Sequence, residues 1–286
     1  MLKKSRAWFD RQSGTAQLVL LVLFIFVVRT FGFGLYQVPT CSMETTMLVG
    51  ERFFADKLTV WFSSIKRGEI ISFNSPLDER HKPYPYSKNV VKNLWQRYIS
   101  GPVNVTKRVI GIPGDHVEGK IEEGKPVVYV NGQKLDEPYL NKYPIVFANT
   151  TYQNKYFSFV PDLSWDKQPF YAHSLRPEQL VWNNPNYPIL EPGMPREQDI
   201  FDVKLAANQY WMMGDNRLGS YDSRDWEPLD GQLIHGRIRF CIFSLDRIAE
   251  DYAFYDPRGW WITDMIVHPI AFWSTVRWSR CLKFVR

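Results

Sequence analysis

Cysteine is scarce in this chain, whose 286 residues contain only Cys41, Cys241 and Cys281. Their spacing forms neither a CxxC pair nor a set of metal ligands, and an odd number of cysteines cannot all pair within one chain. A disulfide between Cys241 and Cys281 remains an alternative in an oxidising compartment, because spacing alone does not decide whether these two cysteines pair. We therefore expect no metal centre, and no pattern in the sequence indicates a cofactor.

Histidine is equally sparse, and a patch of one charge sign is missing. The net charge is +5, but lysine and arginine are scattered along the chain, which argues against a nucleic-acid surface. With 45% hydrophobic and 16% aromatic residues, the chain can bury a sizeable core and is not a disordered polymer. No Ser-His-Asp pattern is recognisable among the five histidines, which are His81, His116, His173, His235 and His268.

Long apolar runs are absent except for one near the N-terminus. Residues 18–36, interrupted by Arg29, can cross roughly 30 Å of hydrocarbon as a helix, with the Arg29 side chain reaching an interface. A cleavable signal peptide and a lipoprotein signal at Cys41 are alternatives, but the flanking residues suit neither, so we interpret the segment as an uncleaved anchor. An N-terminus in the cytoplasm is predicted by the basic residues that precede the run, Lys3, Lys4, Arg6 and Arg11.

One lysine is out of place in a predicted strand. Alternation in residues 105–110 puts Val105, Lys107 and Val109 on one face. If that face is buried, desolvation favours the neutral amine, and a neutral amine is a base. The alternative is a solvent-facing lysine that protects a sheet edge.

Ser42 lies six residues beyond the apolar segment, so any chemistry at this residue takes place at the membrane surface. A serine in such a stretch is commonly a turn residue. It becomes a nucleophile only when a base activates its weakly nucleophilic hydroxyl.

Most of the remaining chain predicts β-structure. Strands are expected at 53–55, 70–73, 208–213 and 237–243, together with a hairpin of 127–130 and 133–135 around Asn131-Gly132. A short helix is expected at 90–98. Nine of the 19 prolines fall between 138 and 195, which indicates a β/loop insert. The expected division is a basic tail and anchor (1–36), two parts of a β core (37–137 and 206–256), a proline-rich insert (138–205) and a C-terminal segment (257–286).

The C-terminal segment is aromatic and basic. Asp264, His268 and Pro269 interrupt it, so a second membrane span is not expected. Packing against the domain is the simpler interpretation, and contact with anionic lipid is the alternative.

Three separated stretches resemble, in order and spacing, the sequence boxes of bacterial type I signal peptidases. A fourth stretch, Val128-x-Val130-Asn131-Gly132-x-x-Leu135-x-Glu137, is also similar to that family, and the resemblance covers about a third of the chain. The three main stretches are Ser42-Met43-x-x-Thr46, Lys107-Arg108-Val109-Ile110-Gly111-Ile112-Pro113-Gly114-Asp115 and Gly214-Asp215-Asn216-Arg217-x-x-Ser220-x-Asp222-Ser223-Arg224.

The resemblance implies a mostly β, membrane-anchored domain with a Ser/Lys dyad. Ser42 would be the nucleophile and Lys107 the general base, Ser220 would orient the lysine amine, and Thr40 would join the Ser42 amide in the oxyanion hole. Ion pairs would hold the site together through Asp115, Asp215, Arg217, Asp222 and Arg224. The chain departs from the family at Thr45, Met47 and Glu227, where proline, leucine and glycine are usual.

The function implied is cleavage of signal peptides from exported preproteins, on the outer side of a bacterial cytoplasmic membrane. Preproteins and membrane lipid are the expected partners of a monomer, without nucleic acid or cofactor. Two alternatives stay open: a specialised Ser/Lys processing peptidase of the conjugation type, and a non-catalytic, membrane-tethered domain that binds peptides by strand addition. Self-cleaving repressors share the dyad, but the anchor and the lack of a helix-turn-helix pattern argue against them.

Overall fold

An apolar helix begins the described part of this computed structural model, which comprises residues 12–48, 50–78, 80–149, 154–158, 190–244, 265–274 and 276–285. Helix α1 spans Gly14–Val27 and continues as a π-helical turn, Val28–Gly32. Its start is capped by Ser13, whose hydroxyl accepts the Ala16 N–H at 3.3 Å. The 19 residues Gly14–Gly32 have a mean hydropathy of 2.0, and within the described residues they form the one helix long and apolar enough to cross a membrane.

The predicted span 18–36 is wrong at both ends. The helix starts at Gly14 and its π-helical turn ends at Gly32, and Phe33–Gln37 is a β-strand. At the C-terminal end the physical reason is that apolar residues resume after Arg29 and Thr30 and continue into a sheet strand. At the N-terminal end the helix begins after its Ser13 cap, with residues 14–17 that hydropathy does not mark. Hydropathy therefore joins the candidate membrane helix to the first strand of the domain.

All the strand pairs in the described residues are antiparallel. The larger sheet has the order β1-β2-β13-β3-β4-β11-β12, with β14 also paired to β13, and a smaller sheet has the order β10-β5-β6-β7. The strands are β1 Phe33–Gln37, β2 Arg52–Asp56, β3 Ile70–Asn74, β4 Asn104–Gly111, β5 His116–Glu122, β6 Lys125–Val130, β7 Gln133–Lys134, β8 Ile145–Asn149, β9 Asn154–Ser158, β10 Phe201–Lys204, β11 Gln209–Met213, β12 Leu229–Asp230, β13 Ile234–Phe243 and β14 Lys283–Phe284. The mostly β prediction is confirmed.

The predicted helix and hairpin are also confirmed. Helix α2 spans Val90–Tyr98 and is capped by Asn89, whose side chain accepts the Lys92 N–H. The hairpin of β6 and β7 turns at Asn131 and Gly132, with φ angles of 54° and 75°. Positive φ at both turn positions is the requirement that Asn-Gly meets.

Two short helices and five short 3-10 turns complete the described elements outside the N-terminal span and α2. Helix α3 spans Ser223–Trp226 and helix α4 spans Pro269–Ser274. The 3-10 turns used below are Cys41–Met43, Thr59–Trp61, Glu197–Asp199 and Trp278–Arg280, and a further one spans Gly231–Leu233.

Most of the predicted insert lies outside the described residues. Of the interval 138–205, the structure describes 138–149, 154–158 and 190–205. Strands β8 and β9 pair with each other, while β10 pairs with β5, so the last residues of the interval contribute to the smaller sheet.

The described part of the C-terminal segment packs on the domain, as predicted. Phe272 in α4 is buried, and β14 joins the larger sheet beside β13. Arg280 forms an ion pair with the buried Glu51. Trp260 and Trp261 lie outside the described residues.

Two clusters of buried side chains lie on either side of strands β4 and β11. Ile110, Trp211 and Met213 pack with residues of the smaller sheet. Val109 and Met212, the neighbours of Ile110 and Met213, pack on the opposite side with β3. Strand β4 is therefore buried on both faces from Lys107 to Gly111, which shields the Lys107 and Arg108 side chains from bulk water.

Candidate active site

Ser42 is placed by a short turn between β1 and β2. It lies in the 3-10 turn Cys41–Met43 and is 9% exposed. The loop after β11 holds this turn through Asn216, whose backbone N–H donates to the Ser42 carbonyl and whose side-chain amide donates to the Cys41 carbonyl, both at 3.1 Å. The Ser42 hydroxyl shares a 3.3 Å hydrogen bond with the Thr40 hydroxyl.

Lys107 lies inside the larger sheet, on β4 opposite Ile71 of β3, and is 3% exposed. The prediction that it is buried is confirmed. Its amine donates to the Ser220 hydroxyl at 2.9 Å, and that hydroxyl donates to the Asp222 carboxylate at 2.7 Å. A buried hydrogen-bonded row therefore runs from Lys107 through Ser220 to Asp222.

Gly214 brings the serine turn and the lysine row together. A Cβ atom at this position would lie 2.4 Å from the Ser42 carbonyl oxygen and 2.3 Å from the Ser220 hydroxyl. Only glycine leaves room for both groups. Strand β4 also packs against the Cys41–Met43 turn. The turn that carries Ser42 and the strand that carries Lys107, 65 positions away in the sequence, are thereby adjacent in the fold.

The environment of Lys107 favours its neutral form. Burial lowers the pKa of its amine to about 8; the Asp222 carboxylate opposes this shift and the Arg224 guanidinium adds to it. At pH 7 roughly a tenth of the lysine is then neutral, whereas an ordinary lysine with a pKa near 10.4 has well under a thousandth in that form. The amine is thus able to accept a proton near neutral pH.

Asp222 and Arg224 form a buried ion pair behind the lysine. The Arg224 guanidinium donates to both carboxylate oxygens of Asp222 at 2.8 Å and to Asp199 at 2.7 Å. Burial raises the pKa of Asp222, but Arg224 outweighs this and holds it well below its usual range. The Asp222 carboxylate therefore stays charged and keeps accepting the hydrogen bond from Ser220.

A second buried pair supports the strand that carries Lys107. The Arg108 guanidinium donates to both oxygens of Asp215, at 2.8 and 2.7 Å. The ring of Tyr139 lies 3.9 Å from the centre of that guanidinium. Thr46, from the serine stretch, also donates to Asp215. This pair ties β4 to the loop after β11 and to the turn after the nucleophile candidate.

The remaining predicted residues lie further from the lysine row. Arg217 forms an ion pair with Glu137, which joins the loop after β11 to the segment after β7. Asp115 accepts hydrogen bonds from Arg67 and Asn131, each at 2.8 Å. Its carboxylate thus fixes the turn between β4 and β5, and Arg67 lowers its pKa against the effect of burial.

Sequence reasoning missed several residues of this arrangement. Asp199 falls in the predicted insert, where no motif marks it, and only the fold shows that it binds Arg224. Arg108 was within a recognised stretch without an assigned role. Glu137 and Asn216 also lie in stretches that resemble the family. Their place in those stretches is the sequence signal that could have identified them as site residues.

The three cysteines are free thiols. Burial raises the pKa of the Cys41 thiol to about 12, with Glu44 adding to the effect. Cys41 is therefore un-ionised near neutral pH, although it adjoins Ser42. For Cys241, burial and then Glu51 likewise raise the pKa to about 12.

One group in the described residues has side chains that could converge on a metal ion: His116, Glu118 and Asp202, at the strands β5 and β10. His116 is hydrogen-bonded to Asp202 at 2.6 Å, and Glu118 is paired with Lys120 at 2.8 Å. This hydrogen bond and this ion pair account for the positions of the three side chains. The residues belong to the smaller sheet and none of them contacts the lysine row.

The fold and this site describe a serine hydrolase of mostly β structure behind a candidate membrane span. A family model described as signal peptidase, peptidase S26, matches residues 11–243. The chain therefore belongs to the signal peptidase family, peptidase S26, and is a serine endopeptidase.

Similar proteins agree with that assignment. The chain is 26% identical to signal peptidase I T of Bacillus subtilis, over 82% of this chain and 86% of the relative. It is 27% identical to a probable signal peptidase I-2 of Synechocystis, over 81% of this chain and 73% of the relative. A crystal structure of a signal peptidase I from Enterococcus faecalis is similar at 20% identity and a TM-score of 0.29, covering 61% of this chain and 97% of that one. The family model and the two relatives confirm, at the level of the family, the resemblance found in the sequence.

Proposed function

We propose that this chain removes signal peptides from exported preproteins, with Ser42 as the nucleophile and Lys107 as the general base. The observation that carries the proposal is the buried Lys107 amine, whose pKa is lowered to about 8 and which is hydrogen-bonded to Ser220 beside the Ser42 turn. A serine hydroxyl needs an adjacent base to act as a nucleophile. Within the site described above, Lys107 is the group that meets this need.

In the acylation step, the neutral Lys107 amine takes the proton of the Ser42 hydroxyl as the oxygen attacks the scissile carbonyl carbon. The carbonyl electron pair moves to its oxygen, and the Thr40 hydroxyl and the Ser42 amide stabilise the negative charge there. When the carbon–nitrogen bond breaks, the Lys107 ammonium returns the proton to the leaving amine. In the second step the neutral amine activates water, which hydrolyses the ester and frees Ser42.

Ser220 and Asp222 orient the lysine on this proposal. One N–H of the lysine amine donates to the Ser220 hydroxyl, and that hydroxyl donates to the Asp222 carboxylate. With that hydrogen fixed, the rotation of the amine is restricted and its lone pair is directed away from Ser220. Arg224 forms ion pairs with both Asp222 and Asp199. These pairs hold the row of Lys107, Ser220 and Asp222 in place.

The proposed location is the outer side of a bacterial cytoplasmic membrane, with a cytoplasmic N-terminus. Support comes from the span Gly14–Gly32 and from the four basic residues that precede it, Lys3, Lys4, Arg6 and Arg11. We also propose that the enzyme is a monomer in contact with lipid, and that residues 37–137 and 206–256 form most of the catalytic core, to which β1 and the end of the insert, β10, contribute strands. Substrates would have small residues at the first and third positions before the cut, because the secretory cleavage site is A-x-A-like.

The test is the cleavage of one A-x-A preprotein by the purified full-length protein in detergent. The cut should fall after the A-x-A sequence, as read from the product masses. Ser42→Ala should abolish turnover while leaving the circular dichroism and melting temperature close to those of wild type. A Ser42→Ala variant that cleaves at the wild-type rate would reject the assignment of the nucleophile.

A further inference from the structure

The C-terminal segment adds to the domain a part that the family model does not cover. That model ends at residue 243, and α4, the last 3-10 turn and β14 all lie beyond it. Phe272 of α4 stacks on Phe243 at 6.1 Å between ring centroids, and β14 pairs with β13. The Arg277 N–H also donates to the Ser244 carbonyl at 2.9 Å. These contacts attach the segment to the domain without the side chain of Arg280.

Arg280 reaches from this segment to a buried carboxylate. Its guanidinium pairs with both oxygens of Glu51, through Nε and, at 3.0 Å, through Nη2. Glu51 is fully buried, and its carboxylate also accepts the Ser244 hydroxyl at 2.7 Å and the Leu48 N–H at 2.8 Å. Because a buried carboxylate is strongly destabilised when it loses its counter-charge, Glu51 holds the guanidinium in one place.

The same guanidinium binds the loop that follows the serine turn. Its Nη2 donates to the Thr46 carbonyl at 3.0 Å, and the Thr46 hydroxyl donates to Asp215. The loop also closes back on the serine turn, since the Met47 N–H donates to the Met43 carbonyl at 2.8 Å. Thr46 is thus held at two atoms, and its position constrains the turn that carries the nucleophile candidate.

This loop departs from the family at Thr45. Proline is usual there, and the ring of a proline fixes the backbone angle φ. The chain therefore lacks one constraint on the loop and depends more on hydrogen bonds to hold it in a single geometry. The hydrogen bond from Arg280 to Thr46 is such a constraint, and the arginine comes from a segment outside the family match.

We propose that Arg280 is a positioning residue of the reaction: its hold on Thr46 keeps the Ser42 turn within reach of the lysine base. The inference rests on the proposed Ser42 and Lys107 chemistry and adds to it a residue of the C-terminal segment. On this proposal Arg280 touches neither substrate nor the reacting atoms and acts through geometry. Because attack and proton transfer need an oriented hydroxyl, a displaced turn lowers kcat more than it weakens substrate binding.

The test is Arg280→Lys in the full-length protein. Lysine keeps a positive charge beside Glu51, but one ammonium cannot reproduce the planar fork that spans Glu51 and the Thr46 carbonyl. On one preprotein we expect kcat to fall about tenfold and KM to stay within about twofold of wild type. The melting temperature should remain close to that of wild type, because the charge of Glu51 is still compensated.

Arg239→Lys is the matched control. The Arg239 carbonyl accepts the Val285 N–H at 3.0 Å, so this residue lies next to the same C-terminal segment. Its guanidinium pairs with Asp56 at 3.2 Å and donates to the hydroxyl of Thr59, in the turn Thr59–Trp61, at 3.1 Å. None of these partners belongs to the serine turn, so kcat and KM should both be unchanged. An equal fall of kcat in the control would overturn the proposal.

Hydrogen exchange and the pH profile distinguish positioning from general loosening. In Arg280→Lys, a peptide containing residues 43–47 should exchange faster than in wild type, while β4 should keep its protection. The plateau of kcat/KM should fall, but its midpoint should stay near pH 8, because the surroundings of Lys107 are unchanged. Faster exchange in β4, or a midpoint that moves upward, would show a general structural role and overturn the proposal.

Two further outcomes separate this inference from the proposed function. Wild-type kcat in Arg280→Lys, or a variant that does not fold, would reject the positioning role. If Ser42→Ala is inactive in the same assay, the proposed nucleophile stands and only the role of Arg280 is lost. If Ser42→Ala cleaves like wild type, the proposed function fails and the positioning role fails with it.

Discussion

At the scale of single residues, the site depends on Lys107, which is buried where the charged form of its amine is unfavourable. The change of the Lys107 pKa from 10.5 to about 8 means that the neutral form is favoured by roughly 3 kcal/mol more than in an ordinary lysine. Burial supplies this preference, and the charge of the Asp222 carboxylate limits it. A more remote carboxylate would lower the pKa further but would leave the amine less well oriented.

The pH dependence of cleavage follows from the sign of this shift. Lys107 is active when deprotonated, so kcat/KM should rise with pH through about 8 and level off above it. Lys107→Arg should be inactive throughout, because a guanidinium does not release its proton in this range. The measurement is kcat/KM on one peptide from pH 6 to 10. Activity in Lys107→Arg, or a rate that falls as the pH rises from 7 to 9, would contradict a lysine base.

Thr40 is expected to act in the transition state. Its backbone is extended, with φ −134° and ψ 158°, and its hydroxyl lies 3.3 Å from the Ser42 hydroxyl. Thr40→Val keeps the shape and removes the donor, so kcat should fall roughly a hundred- to a thousandfold with little change in KM. Thr40→Ser keeps the donor and should stay within about tenfold of wild type. Equal kcat values for the two variants on one preprotein would exclude Thr40 from the oxyanion hole.

Cys41 adjoins the nucleophile candidate but should not take part in the reaction. Its thiol pKa is raised to about 12 by burial, so almost no thiolate is present at neutral pH. Cys41→Ala should therefore retain most of the wild-type kcat. Loss of all turnover in a Cys41→Ala variant that is folded by circular dichroism would show that the nucleophile has been misassigned.

At the scale of elements, local patterns predicted well and long-range pairing did not. Helix α2 is at 90–98 as predicted, because its cap and periodicity are local, and the hairpin at Asn131-Gly132 depends on two adjacent residues. The lysine strand was predicted from alternation, yet Arg108 on its other face is buried too, since sheets and loops cover both sides. Asp199 reaches Arg224 only through folding over 25 positions, and no local pattern carries that information.

Glu227 ends helix α3 with a backbone that suits glycine. Its angles are φ 71° and ψ −172°, a region almost restricted to glycine, and the family usually has glycine there. Glu227→Gly should raise stability by about 1 kcal/mol, because relief of strain outweighs the extra freedom of glycine in the unfolded chain. Melting curves would show this, with Glu197→Gly, in an ordinary helical turn, as a control that is expected to lower stability. A lower melting temperature for Glu227→Gly would remove the strain argument.

At the scale of the whole molecule, the N-terminal span ends at Gly32 and the β domain begins at Phe33. Hydropathy had predicted the end of the span at residue 36. Strand β1 pairs with β2 from Phe33 to Gln37, so these residues belong to the larger sheet. The ring of Tyr36 also lies 6.1 Å from the ring of His235 in β13, centroid to centroid. An anchor-free enzyme should therefore begin at Phe33.

A truncation series tests that boundary. Removal of residues 1–32 should leave a folded domain that cleaves peptides and is stimulated by detergent or lipid. Removal of residues 1–36 should lower the melting temperature by about 5 °C or more, because it deletes an edge strand with its packing. The two truncated proteins are compared by melting curves and by peptide turnover. Equal stability would show that β1 contributes nothing to the sheet, and indifference of both to lipid would contradict placement of the site at the membrane surface.

The candidate span continues directly into β1, which limits the distance between the end of the span and the nucleophile candidate. Ten positions separate Gly32 from Ser42, and half of them are fixed in the sheet as Phe33–Gln37. Even a fully extended chain of that length reaches at most about 35 Å. If Gly14–Gly32 crosses a bilayer, we expect this short connection to hold the scissile bond within a set range of heights above the lipid. A preprotein whose cut site lies too close to its membrane-embedded segment, or too far from it, should escape cleavage whatever residues surround the bond.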